Sequence, residues 1–154
     1  MARRFSLVVL GLALVAVTGS VAFAQGMMAP VGISMNSTLG QILADDNGRT
    51  LYWFSADGPD VSNCSDACAA AWPPLLVSSA GMDAMMDMSA DAMMMVMSGP
   101  LGAAPRADGS MQVTWNHMPL YMFSADRNPG DTNGNGRTGF GGDWSVVSLS
   151  DMMM

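Results

Sequence analysis

The chain has 154 residues, enough for one folded core but too few for two large domains. Its thirteen acidic residues are all Asp, its six basic residues are all Arg, and it has a single His, so acid–base catalysis near neutral pH has few candidate groups. The acidic balance disfavours binding to nucleic acid or anionic lipid and favours cations. Methionine is unusually frequent, with 18 residues.

Residues 1–24 are predicted to be a signal peptide. Arg3 and Arg4 precede an apolar run from Phe5 to Val17, and Ala22-Phe23-Ala24 fits the small-x-small cleavage rule. The apolar run is too short to span a bilayer comfortably, which disfavours a membrane anchor. Cleavage leaves four Arg and thirteen Asp, a formal charge of −9, in a protein predicted to be periplasmic or secreted.

The first half of the exported chain has a pattern typical of β structure. Residues 25–37 are predicted to be a flexible leader. Strand-like stretches then follow at residues 41–44, 51–55 and 75–77. Asp45-Asp46-Asn47-Gly48 predicts a hairpin turn between the first two stretches, and the aromatic-rich second stretch predicts burial on both faces. A short helix is predicted over Cys64–Ala71, ending at Trp72 before two prolines.

A Met-rich insert, residues 79–100, separates the two halves. Asp83, Asp87 and Asp91 recur every four residues, so a helix would align them along one stripe. The second half then has strand-like stretches at residues 111–115, 120–124 and 144–148. Asn116-His117 predicts a tight turn, and residues 126–142 predict a loop.

The two halves are copies of one unit. Leu51–Asp57 matches Leu120–Asp126 at six of seven positions, and a tryptophan follows each copy, Trp72 and Trp144. We therefore predict one domain, residues 38–148, with repeats at 38–78 and 101–148 and a tail at 149–154. The predicted fold is all-β and mainly antiparallel, with the two units packed as a small sandwich or barrel and one short helix at the cysteines.

The repeated residues resemble a family of secreted bacterial repeats and lipoproteins marked by Tyr-x-aromatic-x-x-Asp. The first repeat also has an element similar to the family's Cys-x3-Cys-Ala-x2-Trp-Pro-Pro, from Cys64 to Pro74. The resemblance implies an envelope location and a compact β-rich fold, but no settled biochemical activity. It implies a structural role for eight residues: Tyr52, Phe54, Asp57, Trp72, Tyr121, Phe123, Asp126 and Trp144. The insert departs from the family pattern.

Cys64 and Cys68 are predicted to form a disulfide. Three intervening residues on a helix place both sulfurs on one face, and oxidation is the default outside the cytoplasm. The alternative is thiolate ligation of a soft metal, which requires reduced cysteines. Asp57 and Asp126 are predicted to close the turn after each motif by accepting backbone N–H bonds.

The insert is the main candidate for function. Thioether sulfur is soft, neutral and needs no deprotonation, so it suits Cu(I). The predicted ligands are Met82, Met85, Met86, Met88, Met93, Met94, Met95 and Met97. The segment resembles Met/Asp-rich tracts of periplasmic copper-resistance proteins, which usually contain His as well. The alternative is a flexible or amphipathic insert whose Met side chains pack against the domain or scavenge oxidants.

Two further sites carry weaker signals. His117 and Met118 are candidate partners for copper, although a lone His in a tight turn is more often simply exposed. Asp131–Gly136 matches the first half of a calcium loop, but Gly142 stands where the bidentate Glu belongs, so calcium is not expected. With no nucleophile–base pair, phosphate loop or zinc signature, the sequence predicts a non-enzymatic metal-binding protein; the alternative is a structural or protein-interaction module of the envelope.

Overall fold

A computed structural model describes residues 31–86 and 100–150. Within them the chain forms two short helices, α1 (Ala67–Ala71) and α2 (Ser79–Met86), and eight strands. The strands are β1 (Val31–Asn36), β2 (Gly40–Asp45), β3 (Tyr52–Phe54), β4 (Leu101–Pro105), β5 (Met111–Trp115), β6 (Met118–Pro119), β7 (Arg137–Gly139) and β8 (Gly142–Val146). The predicted signal peptide, the start of the leader, residues 87–99 of the insert and the end of the tail lie outside the described residues.

The strands pair into three small antiparallel sheets, ordered β1-β2, β3-β8-β7 and β4-β5-β6. This arrangement confirms the all-β prediction. The middle sheet mixes the two repeats, because β3 of the first repeat pairs with β8 of the second in the register Tyr52↔Val146 and Phe54↔Trp144. Each repeat therefore depends on the other for part of its hydrogen bonding.

Several strands differ from their predicted positions. Strand β1 lies within the predicted flexible leader and pairs along its whole length with β2, so residues 31–36 are part of the fold. Strand β3 pairs mainly with β8, where the sequence predicted a hairpin with the stretch before it. The turn itself is present: the Asp45 carboxylate accepts the N–H groups of Asn47 and Arg49, and Gly48 has a φ of +76°.

The second repeat is also less regular than predicted. The stretch at 120–124 is not a strand; Tyr121 instead makes single bridges to Tyr52 and Pro74, and the strand here is the two-residue β6. The last strand lies two residues earlier than predicted, at β8. The predicted strand at 75–77 does not form a continuous strand, although its backbone bonds to Met111 and Val113 of β5 on either side of the bridge Leu76↔Gln112.

Helix α1 is shorter than its prediction. It begins at Ala67 instead of Cys64 because Asp66, with φ of +49°, is in a left-handed conformation that a helix does not continue through. It ends where predicted, with the Trp72 N–H bonded to the Cys68 carbonyl at 2.7 Å.

Two clusters of buried side chains form the core. One is aliphatic and lies under β2, β4 and β5; its members are Leu43, Leu51, Leu75, Val77, Ala103, Val113, Leu120 and Val147. The other is aromatic and joins the two repeats; its members are Ile42, Tyr52, Phe54, Cys64, Cys68, Trp72, Tyr121, Phe123, Trp144 and Val146. The aromatic cluster contains every motif residue except the two aspartates.

Candidate functional site

The two motif copies bond to each other reciprocally. The phenol of Tyr52 donates to Asp126 Oδ2 at 2.6 Å, and the phenol of Tyr121 donates to Asp57 Oδ2 at 2.7 Å. Between them the backbones of Tyr52 and Tyr121 exchange two hydrogen bonds, of 2.8 and 3.0 Å. Each tyrosine thus uses the carboxylate of the other repeat.

The two aspartates also have the turn-closing role predicted for them. Asp57 Oδ1 accepts the Asn63 N–H at 2.7 Å, and Asp126 Oδ1 accepts the Asn133 N–H at 3.0 Å. In each carboxylate, Oδ1 accepts a hydrogen bond within its own turn and Oδ2 accepts one from the tyrosine of the other repeat. The sequence indicated the first contact but not the second.

Four motif rings form a continuous stack between the repeats. Trp72 and Trp144 lie parallel, 4.0 Å apart. Phe123 stacks on the outer face of Trp72 at 4.2 Å, and Phe54 stacks on Trp144 at 4.1 Å. In this stack, called the ring column below, each phenylalanine contacts the tryptophan of the other repeat.

The electrostatics of the Tyr–Asp pairs favour neutral phenols. Burial raises the pKa of Tyr52, and the hydrogen bond to Asp126 raises it further. Burial likewise raises the pKa of Tyr121. Both tyrosines therefore stay protonated and act as donors at physiological pH. Burial also raises the pKa of Asp57, against the opposing effects of its hydrogen bonds with Asn63 and Tyr121.

The raised pKa of Asp57 predicts a pH dependence of stability. A carboxyl whose pKa is higher in the folded state binds more protons when folded, so its contribution is full below the unfolded pKa, near 4, and is lost as pH rises through the folded value. We therefore expect the stability of the wild type relative to Asp57→Asn to fall as pH rises from about 4 to neutrality. Urea unfolding of both proteins across this range measures the difference in their free energies of unfolding, to which the groups that the two proteins share contribute equally. If the advantage of the wild type grew with pH, the prediction would be contradicted.

A buried arginine braces one of the Tyr–Asp pairs. Arg106, whose side chain is 7% exposed, donates to the Ser62 hydroxyl at 2.8 Å and to the Cys64 carbonyl at 2.7 Å, and it also bonds Gln112. The Ser62 hydroxyl in turn bonds the Tyr121 phenol at 2.7 Å. Sequence reasoning missed Arg106, because a single arginine before a turn looks like an ordinary surface residue.

The two cysteines form the predicted disulfide, with their Cα atoms 5.2 Å apart. Both are buried in the aromatic cluster. Since the sulfurs are bonded to each other, the alternative of thiolate ligation is wrong for this oxidised form.

The predicted thioether ligands fall into different environments. Met82 lies in α2 and packs against the aliphatic cluster, whereas Met86, at the end of the same helix, is 75% exposed. Met85 lies between them in α2. The remaining predicted ligands of the insert, Met88, Met93, Met94, Met95 and Met97, lie outside the described residues, so their role as ligands stays a prediction.

The side chains of His117 and Met118 have different neighbours. Asn116 and His117 form the predicted turn between β5 and β6, with φ of 48° and 66°, and His117 Nδ1 lies 2.7 Å from Asp60 Oδ2. Met118 instead lines a cavity of about 460 Å³ together with Trp53 and Trp115. The structure gives these two neighbours separate surroundings, and copper ligation by them remains a prediction.

Other metal ligands are not gathered in the described part of the chain. Across residues 31–86 and 100–150, no three His, Cys or Asp side chains are placed to hold a metal ion. In the calcium-like loop, Asp131 Oδ2 accepts the backbone N–H groups of Arg127 and Asn128, both at 2.9 Å. That carboxylate closes its own turn, in keeping with the reading of the loop as a structural turn.

Comparison with known proteins gives one family. A model described as a secreted repeat of unknown function matches residues 34–76 and 102–148, more than half of the chain and both repeats. The chain belongs to this family. The two matched regions are the units that exchange the Tyr–Asp bonds, so the ring column is the junction between two family repeats. No curated protein and no solved structure matches the chain.

Family membership agrees with export. The secreted repeat is an extracytoplasmic module, as the predicted signal peptide requires. Within the ranges that the structure covers, no helix is long and apolar enough to cross a membrane.

Proposed function

We propose that the protein is a non-enzymatic, extracytoplasmic Cu(I)-binding protein, in which the secreted repeats form a rigid base for the Met-rich insert. The observation that carries this proposal is the concentration of eight methionines within residues 82–97. Thioether ligands hold Cu(I) without releasing a proton, whereas imidazole and carboxylate ligands must compete with protons.

The structure favours the insert as the copper site because it leaves few other soft ligands in the domain. The two thiols are consumed in the disulfide, so thioethers are the soft side chains that remain. At the start of the insert, Met82 is fixed against the aliphatic cluster while Met86 is exposed one turn later. Helix α2 therefore anchors the insert to the domain and leaves a thioether accessible beside it.

Competition for Cu(I) against a chromophoric chelator tests the proposal. We expect the mature protein to take copper from the chelator at micromolar concentrations. A variant with leucine at the seven insert methionines other than Met82 should lose this capacity, because leucine preserves volume but removes sulfur. A control with leucine at Met35, Met111 and Met122, which are not proposed as ligands, should retain it.

The pH dependence of the same titration identifies the ligand type. Thioether binding should be nearly unchanged between pH 5 and 7, whereas a site that uses His117 should weaken on acidification. Failure of the wild type to compete, or full competition by the seven-leucine variant, would overturn the proposal.

A protein-interaction module is the second candidate, favoured by β1. Ile33 and Met35 point to one face of this strand and are 62% and 74% exposed. In the part of the chain that the structure describes, β1 pairs only with β2, so its outer edge is open to another strand. If the wild-type protein binds no copper, the protein-interaction module becomes the preferred function.

A further inference from the structure

The hairpin between β7 and β8 has an unusual residue at its tip. Its two central residues, Phe140 and Gly141, both have positive φ, of 55° and 91°. Two-residue hairpins of this kind are of type I′, and they favour Asn, Asp or Gly at the first position. A bulky aromatic residue is strained there, and strain of this kind is most often found at functional sites.

Phe140 is also unfavourable with respect to solvent. It is 54% exposed, one of few large apolar side chains in the described residues to be so open. Neither backbone preference nor burial therefore explains a phenylalanine at this position. A contact with a bound molecule would explain both features, since binding would cover the ring.

A cavity of about 340 Å³ lies beside this ring. We call it the hairpin cavity; its walls include Trp72, Phe123, Arg137, Phe140 and Trp144. This volume lies within the range of small-molecule sites, which combine aromatic walls with a few well-placed polar groups. Three of the four rings of the ring column line it, so the cavity lies at the junction between the two repeats.

Arg137 supplies the polar group. Its guanidinium carbon lies 5.0 Å from the centre of the Phe123 ring, and its Nε donates to the Asn133 carbonyl at 2.7 Å. These two contacts fix the plane of the guanidinium. The two terminal NH₂ groups have no partner among the described residues, which leaves a fork suited to a carboxylate.

We propose that the hairpin cavity binds a small planar aromatic carboxylate. Its carboxylate pairs with the two terminal NH₂ groups of Arg137, and its ring packs against Phe140 over the edge of the ring column. A protein with a mature charge of −9 repels anions in general, so the aromatic body of the ligand is needed as well as its charge. The site is separate from the proposed copper ligands.

Titration of the mature protein with 2-naphthoate, followed by amide NMR and calorimetry, tests the proposal. We expect saturable shifts in residues 137–141 and a Kd at or below about 1 mM, the range of fragment-sized ligands. The neutral analogue 2-naphthalenemethanol should bind at least ten-fold more weakly.

Three variants separate the parts of the site. Arg137→Gln should weaken naphthoate binding at least ten-fold without affecting the neutral analogue, whereas Arg127→Gln, in a neighbouring loop, should change nothing. Phe140→Asn should weaken binding several-fold while its Tm stays equal or rises, because Asn suits the turn. No saturable shift in residues 137–141, shifts confined to the cavity lined by Trp53 and Trp115, or unchanged affinity in both Arg137→Gln and Phe140→Asn would overturn the proposal.

Discussion

Replacing Trp144 with alanine is expected to destabilise the domain by about 3–5 kcal/mol, the usual cost of removing a large buried ring. Trp144 is fully buried and stacks on Trp72 and Phe54 while meeting the edge of Tyr121. Its removal interrupts the ring column at the junction of the repeats. Because small domains are stable by only about 5–15 kcal/mol, the loss is a large share of the total.

Urea unfolding followed by circular dichroism measures this effect. Trp53→Ala is the matched control, because Trp53 lies in the same sheet but is only partly buried and packs against the other cluster. Its cost should be clearly smaller. Equal losses in the two variants would show that the ring column has no special place in the stability of the domain.

Replacing Tyr52 with phenylalanine should cost about 1–3 kcal/mol, although it removes a single oxygen. The change keeps the ring packing but takes the phenol donor from Asp126, which is 8% exposed, and takes the acceptor from the Gly134 N–H. A buried charged group that loses a partner has no water to replace it.

The equivalent change in the other repeat provides the control. Tyr121→Phe should cost less, because Asp57 is half-buried and retains solvent as an alternative partner. A double-mutant cycle between Tyr52 and Asp126 should give a coupling energy above about 0.5 kcal/mol, as contacting residues do. Additive losses at these two positions would contradict the assigned hydrogen bond.

The sequence predicted those elements whose cause is local. Strand β5 was predicted with its observed bounds because apolar and polar residues alternate along its sequence. The Asn116-His117 turn was predicted from its residue types. The repeat and the disulfide were also readable, since both depend on identity and spacing along the chain.

The missed elements depend on contacts between distant residues. Strand β4 was not foreseen because Leu-Gly-Ala-Ala-Pro has low strand propensity; it forms against β5, where a Cβ at Gly102 would lie 2.9 Å from the Thr114 hydroxyl. Strand β7 lies in a stretch whose Gly and Asn content indicated a loop. For the candidate site, the Tyr52–Asp126 bond joins residues 74 positions apart, which no local pattern reveals.

The reciprocal Tyr–Asp bonds have a consequence for how the two copies can diverge. A substitution at Tyr52 removes a hydrogen bond from Asp126 in the other repeat, and one at Tyr121 removes a hydrogen bond from Asp57, so a change in either repeat also affects the other. The single mismatch in the seven-residue motif falls at Trp53 and Met122, which pack against the aliphatic cluster rather than across the junction. The one motif position at which the repeats differ is therefore a position outside the contacts that join them.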